Sequence, residues 1–318
     1  MESNKITIEQ YIGFRKKQKS QSKTKINYFK IISFIILAIF CVIWVLPFLI
    51  MFFGSFRSPM DAMNYPKEFF VPHSGYSLDN YKILLFGEYP EEMMGVHNST
   101  QEYTIHIWFI NSCISAIGGT LLYLFVASLA AYAFTFIDFK YRNLLFGILV
   151  ASLVVPGTAT AVGNQSLVFD MGLNKSLLAL IIPGLGGVYG MYLIKTFFSS
   201  IPKDLIESAK MDGYNNFQIF TKIVLPLGKT VIFVQGLFGF MGGWNDLVWP
   251  QMLYSGTNNT HLWTLQVGMA YIINNSKSSD LIGSALAGGV LCLLPVLVVY
   301  IIAQDKIIEG MASSGIKG

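Results

Sequence analysis

Glu207, Ser208, Ala209, Asp212, Gly213, Ile223, Leu225 and Pro226 fall in a pair of short helices whose exposed carboxylate and own apolar face imply docking to a partner. A carboxylate on an exposed helix accepts charge-assisted hydrogen bonds from an Arg or Lys of a partner. Ser208 and Ala209 are small enough for close packing beside it, and Gly213 suits a left-handed helix stop. A second group is scattered through apolar stretches: Asn111, Ser115, Asn164, Gln165, Gln235, Trp244, Asn245 and Asp246. Polar residues at membrane depth line a cavity or contact other protein. Here they could hydrogen-bond a polar solute, with Trp244 as a stacking face, or simply join helices to one another. Bond-breaking chemistry has no such support. The chain contains no G-x-x-x-x-G-K-[ST] phosphate loop, no H-E-x-x-H, no G-x-S-x-G and no His pair at ligand spacing. No catalytic residue, metal site or bound cofactor is therefore expected. Cys41, Cys113 and Cys292 stand alone in apolar runs and read as small packing residues.

The elements that must carry these residues are membrane spans. Hydrophobic types make up 53% of the 318 residues and charged types only 13%, about half the charged share of a soluble domain. Six apolar stretches reach the roughly 20 residues that cross a bilayer: 28–53, 104–137, 143–162, 176–198, 227–253 and 281–303. The second exceeds what a bilayer needs and should tilt or project. Transmembrane strands would instead alternate over about ten residues. The first run is too long for a cleaved signal and continues through Pro47, so it is expected to remain as a span. The expected fold is all-α: a six-helix membrane domain over 28–303, a basic segment over 1–27 and a tail over 304–318.

Six spans put both termini on one side. That side collects all of the 22 lysines and arginines except Arg57, Lys67, Lys82, Lys175 and Lys277. Positive charge stays in the cytoplasm, so both termini are expected there. The basic run 15–30 is explained as a topology signal and a contact for anionic lipid, not nucleic acid.

Three connections stand out by length: external segments 54–103 and 254–280, and the cytoplasmic loop 199–226. The last reads as two short helices. Ser200 can cap the first, with Pro202 in its opening turn and Asp204 and Glu207 early, near the positive end of the dipole. Gly213 stops it. Asn215 with Gln218 makes a capping box for the second, whose apolar residues Phe217, Phe220, Ile223 and Val224 recur at helical spacing. Pro226 then opens the next span.

With these residues in place, the loop resembles the EAA loop of ABC importer permeases, the family of binding-protein-dependent inner-membrane transport components. The family pattern is E-A-A, three residues, G, nine residues, I-x-L-P; Ser208 replaces its middle Ala. Further similarity lies in Asn111-Ser112, Ala130-Ala131-Tyr132-Ala133-Phe134, Ile201-Pro202, Trp244-Asn245-Asp246 with Pro250, and the terminal Gly315-Ile316-Lys317-Gly318. These resemble the smaller permease subunit of maltose-type sugar transporters, over about residues 28–318.

The resemblance implies an ABC type I importer fold in a bacterial plasma membrane. It also implies a second, homologous permease, two ATPase subunits that carry the ATP and magnesium, and an extracytoplasmic substrate-binding protein. Glu207 and Ala209 would touch an ATPase subunit, and Gly315, Ile316, Lys317 and Gly318 would reach between the two ATPases. The tip Ser255-Gly256-Thr257-Asn258-Asn259-Thr260 would enter the binding protein's sugar cleft; its plainer reading is a solvated connector. A secondary transporter driven by an ion gradient, and a membrane scaffold with no ATPase partner, are the competing classes.

Overall fold

The structure, a computed structural model, describes residues 28–315 except 65–67, 69, 71, 89–103, 255–258 and 276–281. The basic segment 1–27, the tip residues Ser255, Gly256, Thr257 and Asn258, and the terminal Ile316, Lys317 and Gly318 lie outside the described residues. The chain divides into two units, 1–50 and 51–318. The described part of the first belongs to helix α1 (Tyr28–Ser55), 28 residues that are almost all apolar, with Lys30 in the first turn and Pro47 inside. At 1.5 Å per residue that is about 42 Å, enough to cross a bilayer.

The second unit is built from helices. In chain order they are α2 (Pro59–Asn64), α3 (Asp79–Phe86), α4 (Ile105–Phe136), α5 (Arg142–Val154), α6 (Gly157–Asp170), α7 (Leu178–Gly186) and α8 (Val188–Phe198). Then come α9 (Lys203–Met211), α10 (Asn216–Leu227), α11 (Lys229–Asn245), α12 (Val248–Tyr254), α13 (Leu265–Asn275) and α14 (Ile282–Gly315). Pairing among the described residues outside helices is limited to a single antiparallel bridge between Arg57 and Tyr76.

Helices α1, α4 and α14 are unbroken and long enough to span. Three further spans are bent pairs: α5–α6 at 105°, α7–α8 at 47° and α10–α11 at 79°. Each bend has a local cause. Val155 is extended because Pro156 follows it, and a residue before proline is pushed out of the α region. Gly187 leaves the helical region with ψ 79°, and Gly228 sits at the α10–α11 corner.

Several sequence boundaries shift accordingly. The expected span 143–162 turns sharply at Pro156 and its second limb runs on to Asp170. The expected span 227–253 breaks at Asp246-Leu247, before α12. Segment 254–280, read as a polar connector, contains α13, whose Leu265, Val267, Met269 and Ile272 are buried. Its flanking Asn and Ser residues masked so short an apolar run. The tail expected from residue 304 is helical as far as Gly315, continuing α14.

Two hydrophobic cores form near opposite ends of α4. One gathers Ile105 and Trp108 of α4 with Trp244, Leu253, Tyr254, Trp263 and Leu265. The other gathers Ala127, Ala131 and Tyr132 of α4 with Met191, Ile194, Phe198, Ile206, Ala209, Phe220 and Val224. At the first end, α2 and α3 pack on α14 through a buried polar knot. Arg57 donates from Nη2 to the carbonyl of Asp61 at 2.7 Å, and Asn80 donates from Nδ2 to the carbonyls of Ser55 (3.0 Å) and Arg57 (2.6 Å). The backbone N–H of Ser74 donates to Asp61 Oδ2 at 3.0 Å. Burial pushes the Asp61 carboxyl up, but the hydrogen bonds from Ser74 and His73 and the charge of Arg57 outweigh it. The group is held below its ordinary value. Asn80 lies over Gly283, where a Cβ would come within 2.5 Å of its amide.

Candidate functional site

The 199–226 loop is anchored by its own inner face. Ile206 and Ala209 of α9, and Ile219, Phe220 and Val224 of α10, are buried in the second core, and the Tyr132 and Phe220 rings meet edge to face at 5.4 Å. Both expected stop and start signals are present. Gly213 has φ +83°, the Tyr214 N–H donates to the Ala209 carbonyl (3.0 Å), and the Gly213 N–H donates to that of Lys210 (3.1 Å). These two bonds are the reciprocal pair of a Schellman stop. Asn215 and Gln218 exchange side chain-to-backbone bonds of 2.8 and 2.9 Å as a capping box. Ser200 does not cap the first helix. Its hydroxyl donates back to the Phe197 carbonyl, and Pro202 takes the capping position.

The outer face of the loop is open. Glu207, Ser208, Asp212 and Pro226 are exposed, and so are large apolar residues that folding would otherwise bury: Met211 at 82% and Phe217 at 64%. The reading of Ala209 as a contact residue is corrected, because it points inward and only 4% of it is accessible. Ile223 and Leu225 are half-buried against the second core. The apolar stripe of α10 splits between two surroundings: Phe220 and Val224 are buried, whereas Phe217 lies outside. Helical spacing cannot tell which neighbour a stripe will meet when a second, unseen surface is available.

Between the two cores the middle of α4 borders a cavity of about 400 Å³. Ser115, Thr120 and Tyr123 contribute from α4, Asn164 from α6, Pro183 and Gly184 from α7, Gly239 and Gly243 from α11, and Asp246 and Trp249 beyond it. Thr120 Oγ1 is buried with no hydrogen-bond partner among the described residues. Tyr123 donates to Gln235 Oε1 at 3.2 Å, and a Cβ on Gly190 would lie 1.3 Å from the Tyr123 hydroxyl oxygen. That close approach lets the phenol lie against α8. Asp246 accepts from the Trp249 N–H at 3.3 Å, and Trp249 Nε1 donates to the Ala179 carbonyl.

The residues expected to line a path fall into two sets. Ser115, Asn164 and Asp246 border the cavity, and Gln235 supports it through Tyr123. Asn111, Gln165 and Trp244 do not border it. Asn111 donates from Nδ2 to the carbonyls of His261 (2.8 Å) and Trp263 (2.9 Å), and Gln165 donates to that of Met252. Trp244 is 1% accessible and donates from Nε1 to the Cys292 carbonyl, so its ring is not free to stack. Asn245 is exposed, with its amide on the Met241 carbonyl of its own helix. Thr120, Tyr123 and Trp249 were missed. The signal available for them was the run of glycines in α11 at 236, 239, 242 and 243, which marks a surface where α4 and its hydroxyls come close.

The model of the family described as "Binding-protein-dependent transport system inner membrane component" matches residues 20–311. The arabinooligosaccharides transport system permease protein AraQ of Bacillus subtilis strain 168 is 24% identical over 278 residues, 87% of this chain and 92% of that protein. The sn-glycerol-3-phosphate transport system permease protein UgpE of Yersinia pestis is 27% identical over 220 residues, 69% of this chain and 76% of that protein. Among solved structures, a chain of a bacterial ABC transporter involved in the import of the acidic polysaccharide alginate superposes with TM-score 0.71 and 21% identity. The match covers 89% of this chain and 98% of that one.

Proposed function

Because this chain belongs to the family of binding-protein-dependent transport system inner membrane components, we propose that it forms half of the translocation pathway of an ATP-driven sugar importer. The observation that carries this reading is the pairing of an exposed, rigidly anchored docking loop with a polar cavity along the same helix, α4. A second, homologous permease supplies the other half of the pathway. Two ATPase subunits hold the ATP and magnesium, and one of them docks on α9 and α10 of this chain through Glu207 and the apolar residues around it. Both termini and the 199–226 loop face the cytoplasm, as the lysine and arginine distribution requires. An extracytoplasmic binding protein delivers the solute at the opposite face.

The cavity chemistry favours a neutral solute. Its charged lining residue is the carboxylate of Asp246, and no lysine or arginine among the described residues borders it. A phosphorylated or acidic solute would meet repulsion there, whereas hydroxyl groups find acceptors and donors in Thr120, Asn164 and Asp246 and an aromatic edge in Trp249.

The test is reconstitution of this chain with its partner permease, ATPase and binding protein in proteoliposomes, assayed with labelled neutral oligosaccharide and with glycerol phosphate. ATP-dependent uptake of the neutral sugar is expected. Uptake driven by an ion gradient without the ATPase would overturn the importer reading, and preference for glycerol phosphate would overturn the neutral-sugar reading.

A further inference from the structure

A second cavity, of about 200 Å³, lies where α4 ends, α5 begins, α8 ends and α9 begins. Its polar rim is cationic: Arg142, Lys195 and Lys203 all line it, with the amide of Asn143 beside them. Its wall is aromatic, formed by Phe134, Phe136 and Phe146. The rim cations are only partly committed. Arg142 uses Nη1 for both of its bonds, to the Ile137 carbonyl (3.2 Å) and to Asp138 Oδ1 (2.7 Å). The Lys195 ammonium sits 4.8 Å above the Phe146 ring with no carboxylate partner, and Lys203 makes no hydrogen bond or ion pair among the described residues. The carboxylates close in sequence are Asp138, already on Arg142, and Asp204 and Glu207, both exposed on α9.

We propose that this cavity binds the phosphate of an anionic phospholipid from the cytoplasmic leaflet. Three cations and one engaged carboxylate leave the rim positive, and a phosphodiester supplies the missing charge. The aromatic wall selects a lipid over a small free anion, which has nothing apolar to place there. The cavity also adjoins an apolar surface, because Leu144, Leu145 and Ile148 of α5 and Tyr192 and Phe197 of α8 are exposed. Acyl chains would lie along it. Since Lys203 is the first residue of α9, a bound headgroup would tie the docking helix to the ends of α5 and α8. Lipid composition would thereby set how firmly ATP hydrolysis is coupled to the spans. The leaflet assignment rests on the proposed orientation of the chain; the cavity and its charge do not.

The experiment uses the whole transporter in nanodiscs, of phosphatidylcholine alone or with phosphatidylglycerol added. Lipid retention is read by native mass spectrometry and coupling by binding-protein-stimulated ATP hydrolysis. Wild-type complex is expected to retain phosphatidylglycerol and hydrolyse faster with it. Each of Lys195→Gln and Lys203→Gln is expected to weaken retention about fivefold. Lys195→Arg should preserve it, and so should Lys229→Gln, an exposed lysine outside the cavity. Unchanged retention in the Lys195→Gln/Lys203→Gln double variant, or failure of Lys195→Arg to preserve it, would overturn the site. Inorganic phosphate reproducing the stimulation in phosphatidylcholine alone would overturn the lipid in favour of a free anion. Loss of the ATPase with lipid retention unchanged would make the cavity a protein contact and overturn it equally. Labelling of Ser200→Cys by an impermeant maleimide tests the orientation separately: reaction from the ATPase side supports the leaflet assignment, and reaction from the opposite side overturns it.

Discussion

Two residues carry separable tasks, and each can be isolated by a substitution. Gly213 holds φ +83° at the end of α9, where an L side chain is strained and a β-branched one most of all. Gly213→Val is expected to cost about 1–2 kcal/mol locally and to lower co-purification of the ATPase more than Lys210→Ala does; equal recovery would count against the stop as an element of docking. Thr120 is the converse case. Its hydroxyl is buried beside the cavity with no partner among the described residues, so Thr120→Val removes no hydrogen bond seen there and should change the melting temperature little. The KM for sugar uptake should rise by about threefold to tenfold, the loss of one neutral hydrogen bond. An unchanged KM would mean that the hydroxyl does not face the solute. The two positions also differ in how readable they were. Gly213 announced itself because only glycine ends a helix cheaply that way. Thr120 looked like any other small residue of a span, since the cavity it borders exists only once α4, α7 and α11 are packed.

At the scale of elements, hydrogen bonds from side chains to distant carbonyls set the registers. Asn111 ties α4 to the segment before α13 through two bonds, and Trp108 adds a third, from Nε1 to the Thr260 carbonyl at 3.0 Å. Asn111→Leu leaves two carbonyls without their donor, at about 1–3 kcal/mol each. A fall in the melting temperature of the detergent-solubilised protein, with membrane insertion intact, is the expected readout. The knot of Arg57, Asp61 and Asn80 predicts a pH dependence. Asp61 has a folded pKa below its ordinary 3.8, so its contribution is fully present above that value and fades as pH falls through the lower, folded one. Hydrogen-exchange protection factors in α2 and α3, corrected for the intrinsic rate, should therefore be flat from neutral pH down to about 5 and fall only in stronger acid, with Asp61→Asn abolishing that fall. Spans were legible because twenty apolar residues have few other uses. Bends were less so: Pro156 and Pro183 look alike in sequence, yet one turns the chain by 105° and the other stays within α7. Which proline bends a helix depends on the neighbours that accept its orphaned carbonyl.

For the molecule as a whole, the proposed assembly would bring the extracytoplasmic binding protein to the tip at 255–260. Its far end is fixed, because Thr260 and the residues after it are held by Trp108 and Asn111. Deleting residues 256–259 should impair binding-protein-stimulated hydrolysis and uptake while leaving basal hydrolysis and subunit assembly intact. Survival of both would reduce the tip to a connector. At the other end of the unit, α10 and α11 meet at 79° on Gly228. No side chain other than hydrogen fits there, since a Cβ would lie 2.5 Å from Phe198 Cε1 and 3.2 Å from the Val224 carbonyl oxygen. The corner is thus a bell crank whose pivot is already filled. A push along α10 has almost no component along α11, so it must turn α11 instead of sliding it. With the phenyl ring of Phe198 packed against the elbow, a small displacement of α10 on ATPase docking, as proposed, would reach α11 as rotation.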